Sequence, residues 1–532
     1  MRSVRPLAAV LLAVCMFGLG VPAEAETVTA DPPVGPVTGV VTPTMDEFLG
    51  IPYAEPPVGD LRWAPPEPRA PWTTPLDASA FGNRCPQTPS PFGEPSTNED
   101  CLFLNVYVPH TRAVAEHDLR RKRSVMVWIH GGAFQVGSAE NYDPTMLVTK
   151  GDVVVVTINY RVGSLGFLAH PALSAESPAG ISGNYGILDQ QLALRWVQDN
   201  IAAFGGNPKR VTIFGESAGG ISVHSQLASP LAEGTFHRAI VESGALFLQP
   251  TLDAAETAGE TVAEGLGCSD QTAACLRALS VEDVLAGQPS SLQSTGPVID
   301  GVVFPQAFRT AFQTGAFNRV PVIQGSNHDE MRLFVALLFD LQGGPVTADG
   351  YPAAVASLLG IPESIADVLT SRYPLDDYDS PGLALSALAT DAAFACNALA
   401  ADRWLSNFVP TYAYEFEDAT APQLFIPPAS FPYGAYHASE IQYLFDVPSP
   451  FPPQPLNADQ AKLSDAMVRY WTRFARTGKP TAPRAVRWQR FDAEAANGAR
   501  MMSLVSPSPA TKLASSFQFD HKCTFWDNIL GN

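Results

Sequence analysis

The pentapeptide Gly215-Glu216-Ser217-Ala218-Gly219 constrains the fold more than any other part of this chain. It follows a short apolar run, Val211–Phe214, that is typical of a strand, and it precedes a run typical of a helix that starts at Gly220. A serine between a strand and a helix has strained backbone angles, and small residues around it let neighbouring backbones pass without a Cβ clash. The alternative is a glycine-rich surface turn. The flanking runs favour a serine hydroxyl at the open end of a sheet, at a helix N-terminus where negative charge is favoured.

A second glycine-rich turn lies upstream. The apolar run Val125–Ile129 is typical of a buried strand and leads directly into His130-Gly131-Gly132-Ala133-Phe134. Such a turn can direct successive backbone N–H groups into one cavity, where they can hold the oxyanion of an acyl-transfer intermediate. The alternative is a flexible loop, which rarely follows so apolar a strand. The two turns together predict a serine nucleophile beside oxyanion donors.

A serine nucleophile on such a turn needs an acid and then a histidine further along the chain. The histidines well downstream of Ser217 are His328, His437 and His521. His328 has two acidic neighbours, and three adjacent residues cannot all face one point. His437 lies in a loop before an apolar run. Spacing alone leaves either His328 or His437 open as the base.

Longer motifs run through almost the whole chain, and they resemble those of the type-B carboxylesterases, the family that also contains cholinesterases and bile-salt lipases. The motifs are Gly50–Gly59, Leu61–Trp63, Glu99–Val106, Asn159–Arg161, Gly183–Asp189, Trp196–Val197, Asn200–Ile201, Phe204–Pro208, Gly325–Glu330, Leu463–Asp465 and Tyr470–Trp471. The resemblance implies an α/β-hydrolase fold, in which a central, mostly parallel, twisted sheet is flanked by helices.

The resemblance also assigns roles to individual residues. It implies that Ser217 is the nucleophile, Glu330 the acid and His437 the base, which makes His328 a bystander. The implied oxyanion donors are the backbone N–H groups of Gly132, Ala133 and Ala218. Residues expected next to this site are Glu216, Ser243 and Glu440. The resemblance further implies structural ion pairs between Arg62 and Glu99 and between Arg161 and Asp189.

The order of strand-like and helical runs between about residues 120 and 325 independently predicts a parallel sheet with helices on both faces. We expect residues 26–532 to form a single domain. Lid-like helical insertions at about residues 250–300 and 335–400 should cover an active-site gorge. Proline-rich stretches at 86–95 and 446–455 are predicted to be surface loops. Phe134, Phe247, Leu333, Phe334 and Phe339 are candidates for lining the gorge or for simple core packing.

The N-terminus predicts export. Residues 1–25 have the features of a signal peptide: Arg2 and Arg5, an apolar core too short to span a membrane, and the cleavage pattern Ala23-Glu-Ala25. We therefore expect a secreted or periplasmic protein. Six of the seven cysteines remain after cleavage. The resemblance implies that they pair as Cys85–Cys101, Cys268–Cys275 and Cys396–Cys523, which requires an oxidising compartment.

Composition limits the partners. The formal net charge of −20 disfavours nucleic acid and anionic membranes. No spacing of cysteine and histidine suggests a metal site, and the implied chemistry needs no cofactor. We predict a carboxylesterase that hydrolyses small to medium esters, without stable membrane insertion, and favour a monomer. The short Cys85–Cys101 loop lacks the tryptophan that binds choline in cholinesterases, so choline esters are not expected. The alternatives are a lipase acting on longer-chain or interfacial esters and a non-catalytic adhesion module.

Overall fold

The computed structural model describes residues 26–110, 122–245, 248–289, 295–452 and 454–532. The predicted signal peptide, residues 1–25, lies outside them, as does Phe247. In the described chain, thirteen strands form one sheet. The strands are β1 Thr27–Ala30, β2 Val37–Val41, β3 Met45–Pro52, β4 Leu76–Asp77, β5 Phe103–Pro109, β6 Arg123–Ile129, β7 Val154–Ile158, β8 Gly206–Glu216, β9 Arg238–Glu242, β10 Val322–Asn327, β11 Thr411–Phe416, β12 Arg500–Leu504 and β13 Ala510–Leu513.

The strand order is β1-β2-β3-β5-β7-β6-β8-β9-β10-β11-β12-β13, with β4 beside β2. The strands from β7 to β12 in this order are parallel to one another, whereas β1, β2, β3 and β5 add antiparallel pairs at one edge and β13 adds one at the other. The parallel centre is therefore the predicted one, extended by antiparallel strands at both edges.

Helices cover both faces of this centre. They are α1 Thr145–Gly151, α2 Gly163–Phe167, α3 Pro171–Glu176, α4 Tyr185–Asn200, α5 Ala218–Ala228, α6 Leu252–Gly265, α7 Ala273–Ala278, α8 Val281–Gly287, α9 Phe308–Thr314, α10 Met331–Val335, α11 Tyr351–Leu359, α12 Glu363–Thr370, α13 Pro381–Thr390, α14 Cys396–Ser406, α15 Ala458–Thr477, α16 Ala514–Asp520 and α17 Cys523–Leu530. Two π-helical segments, Ala336–Asp340 and Asp391–Ala395, follow α10 and α13.

Strand β6 shows how the sequence builds two cores. Its side chains alternate between the faces of the sheet. Val125, Val127 and Ile129 pack in the core that includes α4 and α5, while Met126 and Trp128 pack in the core that includes α1 and α15. Because both faces are buried, the strand is apolar almost throughout, as is usual for parallel sheets.

The long helix α15 packs in the second of these cores. Its apolar face is buried, and Gly478 ends the helix in the left-handed conformation. At the other end, Asn457 and Gln460 form a capping box that satisfies the first N–H groups. The face consists of Leu463, Met467, Tyr470, Trp471 and Phe474.

Strand order places the functional turns together. The chain passes from β6 to β7 on one side of β6 and returns to β8 on its other side. The strand order therefore reverses at β6. The loops that follow the carboxyl ends of the neighbouring strands β6 and β8 lie at this point of the sheet. Ligands of open α/β sheets bind at such points.

Disulfide bridges and ion pairs connect segments that are distant in the sequence. The structure contains the three bridges that the resemblance implies: Cys85–Cys101, Cys268–Cys275 and Cys396–Cys523. The two implied ion pairs are also present. Arg161 and Asp189 form a buried pair with an N–O distance of 2.6 Å, and Arg62 pairs with Glu99.

One helical stretch of the described chain, residues 381–406, is long and apolar enough to cross a membrane. Most of its apolar window, 78%, is buried inside the protein, as expected of a core helix. It includes α13 and α14, which pack against α10 and the sheet.

Candidate active site

Ser217 is the single residue between β8 and α5. Its φ of +58° and ψ of −122° are strained for a residue with a side chain. The neighbouring glycines are needed because α5 packs closely on the end of β6: a Cβ at Gly215 or Gly219 would lie 2.5 or 2.0 Å from the carbonyl oxygen of Ile129. The predicted turn is thus present, and its geometry holds the serine at the N-terminus of α5.

The loop after β6, residues 131–137, contacts this turn, and we call it the oxyanion loop. Its residues Gly132, Ala133 and Phe134 all have positive φ angles, of +102°, +57° and +58°. A Cβ at Gly131 would lie 3.2 Å from the Cβ of Ser217. Within the described chain, the backbone N–H groups of Gly132, Ala133 and Ala218 donate no hydrogen bond. They are therefore available to an oxygen beside Ser217.

His437 and Glu330 form a buried pair behind the cavity wall. His437 Nδ1 lies 2.6 Å from Glu330 Oε2, and the other oxygen of Glu330 accepts the Asn327 N–H at 2.8 Å. His437 Nε2 lies near Glu216 but makes no hydrogen bond of good geometry with any described residue. The rings of Phe334 and Phe394 lie 4.9 and 5.1 Å from the imidazole. These contacts orient the ring, and both His437 and Ser217 line the same cavity.

Carboxylates around His437 favour its protonated form. Burial lowers the pKa of His437, but Glu216 and Glu330 outweigh burial and raise it to about 9. Glu216 Oε1 lies 3.1 Å from His437 Nε2. Burial raises the pKa of Glu216 well above its ordinary value and that of Glu440 to about 7. An imidazolium formed here would be stabilised by the acidic side chains that surround it.

The other two residues expected near the site are buried beside it. Glu440 accepts a hydrogen bond from the Asn327 side chain, and Asn327 also donates its backbone N–H to Glu330. Ser243 lines the cavity, and its hydroxyl has no hydrogen-bond partner among the described residues. Asn327 therefore links Glu330 with Glu440, because its backbone N–H supports one acidic group near His437 and its side-chain amide supports the other.

A cavity of about 1210 Å³ opens above Ser217. Of the gorge candidates, Phe134 and Phe334 line it; Leu333 is buried in the core, and Phe339 packs against that core instead. Both predicted lid regions contribute to its wall. Other apolar lining residues are Phe92, Ile221, Leu248, Pro250, Leu337, Leu338, Phe394, Phe425, Ile441 and Val447.

The two proline-rich stretches, predicted to be surface loops, also form part of the cavity wall. The first contributes residues 90–94 and the second residues 447–450. The Phe92 ring lies 5.4 Å from that of Phe425, so an aromatic contact joins the first stretch to another part of the cavity wall. The prolines of the two stretches correctly indicated irregular backbone. They did not indicate that these loops would line the cavity.

Tyr142 and Phe394 line the site without having been predicted. Tyr142 lies in the irregular segment before α1, and Phe394 lies in a π-helical segment about 180 residues after Ser217. Neither stands in a motif with a chemical meaning of its own. A π-helical segment often occurs at functional sites, but the sequence did not indicate one here.

His328 lies apart from this site. Its side chain is 44% exposed, and Nδ1 lies 3.1 Å from Asp329 Oδ1. Ligand atoms of His328, Glu415 and His521 lie within 4.8 Å of one another, a spacing that a metal ion could use. However, His521 already contacts Asp391 at 2.6 Å and Glu415 at 2.8 Å.

Lys512 forms an ion pair with the oxygen of Glu415 that does not contact His521, so the charges around His521 are already compensated. The group formed by Asp391, Glu415, Lys512 and His521 is a buried ion network, which we call the C-terminal network. It joins β11 to the junction between α16 and α17. A metal ion would have to displace the proton between His521 and Glu415, so these residues do not form a ready metal site.

Comparisons with known proteins agree with this geometry. The model of the Carboxylesterase family matches residues 25–526. The chain is 36% identical to human cocaine esterase over 84% of this chain and 82% of that protein. It is 38% identical to a fumonisin B1 esterase of Sphingopyxis macrogoltabida over 84% of this chain and 82% of that protein. A solved structure of a PNB esterase superposes with a TM-score of 0.75 at 30% identity, covering 93% of this chain and 99% of that one. These matches confirm the predicted fold.

Proposed function

The chain belongs to the carboxylesterase family and is a carboxylic ester hydrolase, and we propose that it works through an acyl-enzyme on Ser217. One observation carries the proposal. His437 is fixed by Glu330 through Nδ1, while Nε2, whose 3.1 Å contact with Glu216 lacks hydrogen-bond geometry, lies in the wall of the cavity that holds Ser217. The shared cavity and the Glu330 contact support the roles of nucleophile for Ser217, base for His437 and orienting acid for Glu330 in acyl transfer.

In the first half of the reaction, His437 Nε2 accepts the proton of the Ser217 hydroxyl as its oxygen attacks the ester carbonyl carbon. The carbonyl π bond breaks, and its electron pair becomes the oxyanion. When the tetrahedral intermediate collapses, the bond to the alcohol oxygen breaks and His437 returns the proton to that oxygen. In the second half, water replaces the alcohol, and the acid leaves Ser217.

The oxyanion would bind to the N–H groups of Gly132, Ala133 and Ala218. Removal of a single such donor typically raises the barrier by about 3–4 kcal/mol. The position of Ala218 at the start of α5 adds the favourable field of the helix N-terminus. Glu330 holds the imidazole in the productive tautomer and stabilises its charged form, as the acid of a triad does.

The substrates we propose are neutral esters of small to medium acids. An apolar cavity of about 1210 Å³ has room for a bulky group on one side of the scissile bond. The Gly-Gly-Ala form of the oxyanion loop resembles the subgroup that accepts esters of bulky and tertiary alcohols. The size of the cavity supports the same expectation.

We also propose that the protein is exported before it acts. Three disulfide bridges suit an oxidising compartment, and the predicted signal peptide supplies the route. Expression with residues 1–25 should place the mature chain outside the inner membrane, with Glu26 as its first residue. Recovery of the full-length chain in the cytoplasm would contradict this proposal.

A lipase is the second candidate, because two leucines beside the cavity face solvent. Leu248 is 92% exposed and Leu338 is 52% exposed, and both line the cavity. Exposed apolar side chains at an active-site entrance could contact an aggregated substrate. A rate that rises abruptly when a long-chain ester passes its solubility limit would establish this candidate. A smooth hyperbolic dependence would favour the esterase.

Hydrolysis of p-nitrophenyl esters from C2 to C12 tests the main proposal. The mature protein should show its highest kcat/KM with acyl chains of small to medium length, and Ser217→Ala should abolish turnover. Ser222→Ala is a matched control, because Ser222 is a buried serine of α5 that does not line the cavity. Residual activity in Ser217→Ala at the wild-type level would exclude Ser217 as the nucleophile.

A further inference from the structure

The loop closed by Cys85 and Cys101 carries a buried amide, Gln87, that contacts the oxyanion loop from outside the cavity. Gln87 is 1% exposed and does not line the cavity. Its Oε1 accepts the Gly137 N–H at 2.8 Å, and its Nε2 donates to the Gly137 carbonyl oxygen at 3.0 Å. Two hydrogen bonds to one residue fix both the position and the orientation of that residue.

Gln87 is itself held firmly. Its backbone N–H donates to the Ser96 oxygen at 2.9 Å, and the Ser96 N–H donates back to the Gln87 oxygen at 3.1 Å. The side-chain Nε2 also donates to the oxygen of Cys85, at 3.1 Å, next to the disulfide bridge. The amide therefore projects from a segment that is cross-linked both covalently and by backbone hydrogen bonds.

Gly137 connects this anchor with the start of the oxyanion loop. Its φ is +114°, and a Cβ there would lie 2.6 Å from the Gly131 oxygen, so the end of the loop packs directly on its beginning. Between them, the Gly132 oxygen accepts the N–H groups of Gln135 and Val136 at 2.9 and 3.0 Å. That oxygen belongs to the same peptide group as the Ala133 N–H, and the plane of this group sets the direction of the N–H.

We propose that Gln87 is a positioning residue for the oxyanion hole. It holds Gly137, and through the closed turn of the oxyanion loop it holds the N–H groups of Gly132 and Ala133 on the oxyanion. The inference rests on the proposed function, because it takes these two groups as oxyanion donors. It gives the Cys85–Cys101 loop a role in the chemical step in addition to its role in the cavity wall.

The test uses Gln87→Met, which keeps the side-chain volume and removes both hydrogen bonds to Gly137 together with the one to Cys85, and Gln87→Ala as a second variant. Because oxyanion donors act mainly on the transition state, kcat should fall 10- to 100-fold in Gln87→Met, while KM should stay within twofold of wild type. Ser96→Ala is the matched control. It removes two hydrogen bonds from the same loop, one to the Arg84 oxygen and one from the Asn98 N–H, without contacting the oxyanion loop.

Inhibition by a trifluoromethyl ketone supplies a readout that a merely structural role would not change. The Ser217 oxygen adds to the ketone carbon, its proton passes to His437, and the ketone oxygen becomes an oxyanion. Affinity for the ketone should therefore weaken 10- to 100-fold in Gln87→Met, in parallel with kcat, and stay unchanged in Ser96→Ala. Wild-type kcat in both Gln87 variants, or a lower kcat with unchanged ketone affinity, would overturn the inference.

Ser217→Ala in the same series separates a failure of the inference about Gln87 from a failure of the acyl-enzyme proposal. If Ser217→Ala is inactive and Gln87→Met behaves as wild type, the inference about Gln87 fails and the acyl-enzyme proposal stands. If Ser217→Ala remains active, the acyl-enzyme proposal fails and takes the inference with it. Thermal unfolding of each variant shows whether lost activity comes from lost folding.

Discussion

The C-terminal network should make stability depend on pH through one histidine, His521. Burial lowers its pKa, but Glu415 and Asp391 outweigh burial and raise it from 6.5 to about 10. The folded state therefore binds this proton more tightly than the unfolded state. For a pKa that rises from 6.5 to about 10, the difference is about 5 kcal/mol at most. His521 is buried, so solvent screens the interaction little.

The direction follows from the raised pKa. Below pH 6.5 both states bind the proton, and the stabilisation is fully present. As the pH rises through about 10, the folded state loses the proton and the stabilisation disappears. Linkage predicts a loss of about 4 kcal/mol between pH 6 and pH 10 from this group. For a chain of about 500 residues, this corresponds to a fall of roughly 4 °C in Tm.

The substitution His521→Gln removes the charge and leaves Asp391 and Glu415 without the imidazolium between them. Since removal of one partner from a buried ionic network costs about 3–5 kcal/mol, the variant should unfold several degrees below wild type at pH 6. The difference should shrink to less than about 1 °C at pH 10, where the folded wild type has lost about half of this proton and most of the stabilisation that it provides. Calorimetric Tm values of both proteins between pH 6 and pH 10 measure this difference.

His110→Gln is the control, because His110 contacts Asp46 at the surface, where an ion pair contributes little. Its Tm should follow wild type within about 1 °C throughout. A constant gap between His521→Gln and wild type from pH 6 to pH 10 would refute the reasoning, since it would mean that packing rather than the bound proton accounts for the loss.

Three further substitutions test other parts of the structure. Glu330→Gln should lower kcat about 10³- to 10⁴-fold with little change in KM, because a neutral amide neither stabilises the His437 imidazolium nor favours its productive tautomer; a kcat within tenfold of wild type in steady-state assays would contradict this role. Gly219→Ala should yield little folded enzyme, since its Cβ would lie 2.0 Å from the Ile129 oxygen; normal yield and Tm would show that α5 can shift. Asp189→Asn should cost about 3–5 kcal/mol in denaturant unfolding, because its arginine partner is left buried and uncompensated, and a cost below about 1 kcal/mol would show that water reaches the arginine.

Local sequence was sufficient to predict the parts of the site that lie on single turns. The glycines around Ser217 and those after Ile129 are required by close backbone approaches, and such approaches leave a signature in consecutive residues. The parallel centre of the sheet was predictable for a similar reason. A strand buried on both faces has to be apolar along its length, and β7 is such a strand.

Parts of the site that depend on long-range packing were not predictable from local patterns. Spacing could not decide between His328 and His437 as the base, and only the family resemblance favoured His437. In the structure, His437 contacts Glu330, whereas His328 points to Asp329 and the C-terminal network. Adjacent residues point in different directions, and which of them faces the cavity depends on where β10 and the loop of His437 meet.

The cavity wall gives a second example. Phe394 and Gln87 are far from Ser217 in the chain, and neither has neighbours that suggest a function. Phe394 faces the imidazole because of a π-helical segment, and Gln87 reaches Gly137 because a disulfide-closed loop packs beside the oxyanion loop. Such contacts are properties of the assembled fold rather than of any segment.

Covalent labelling of the nucleophile tests the central proposal most directly. The mature protein would be treated with an aryl phosphonate ester, which transfers its phosphonyl group to an activated serine with release of phenolate and stops at that step. The adduct would be located by peptide mass spectrometry. We expect one label per chain, on Ser217, formed in proportion to the loss of esterase activity, and no label in Ser217→Ala. Complete inactivation with the label on another residue, or full activity in a protein labelled on Ser217, would contradict it.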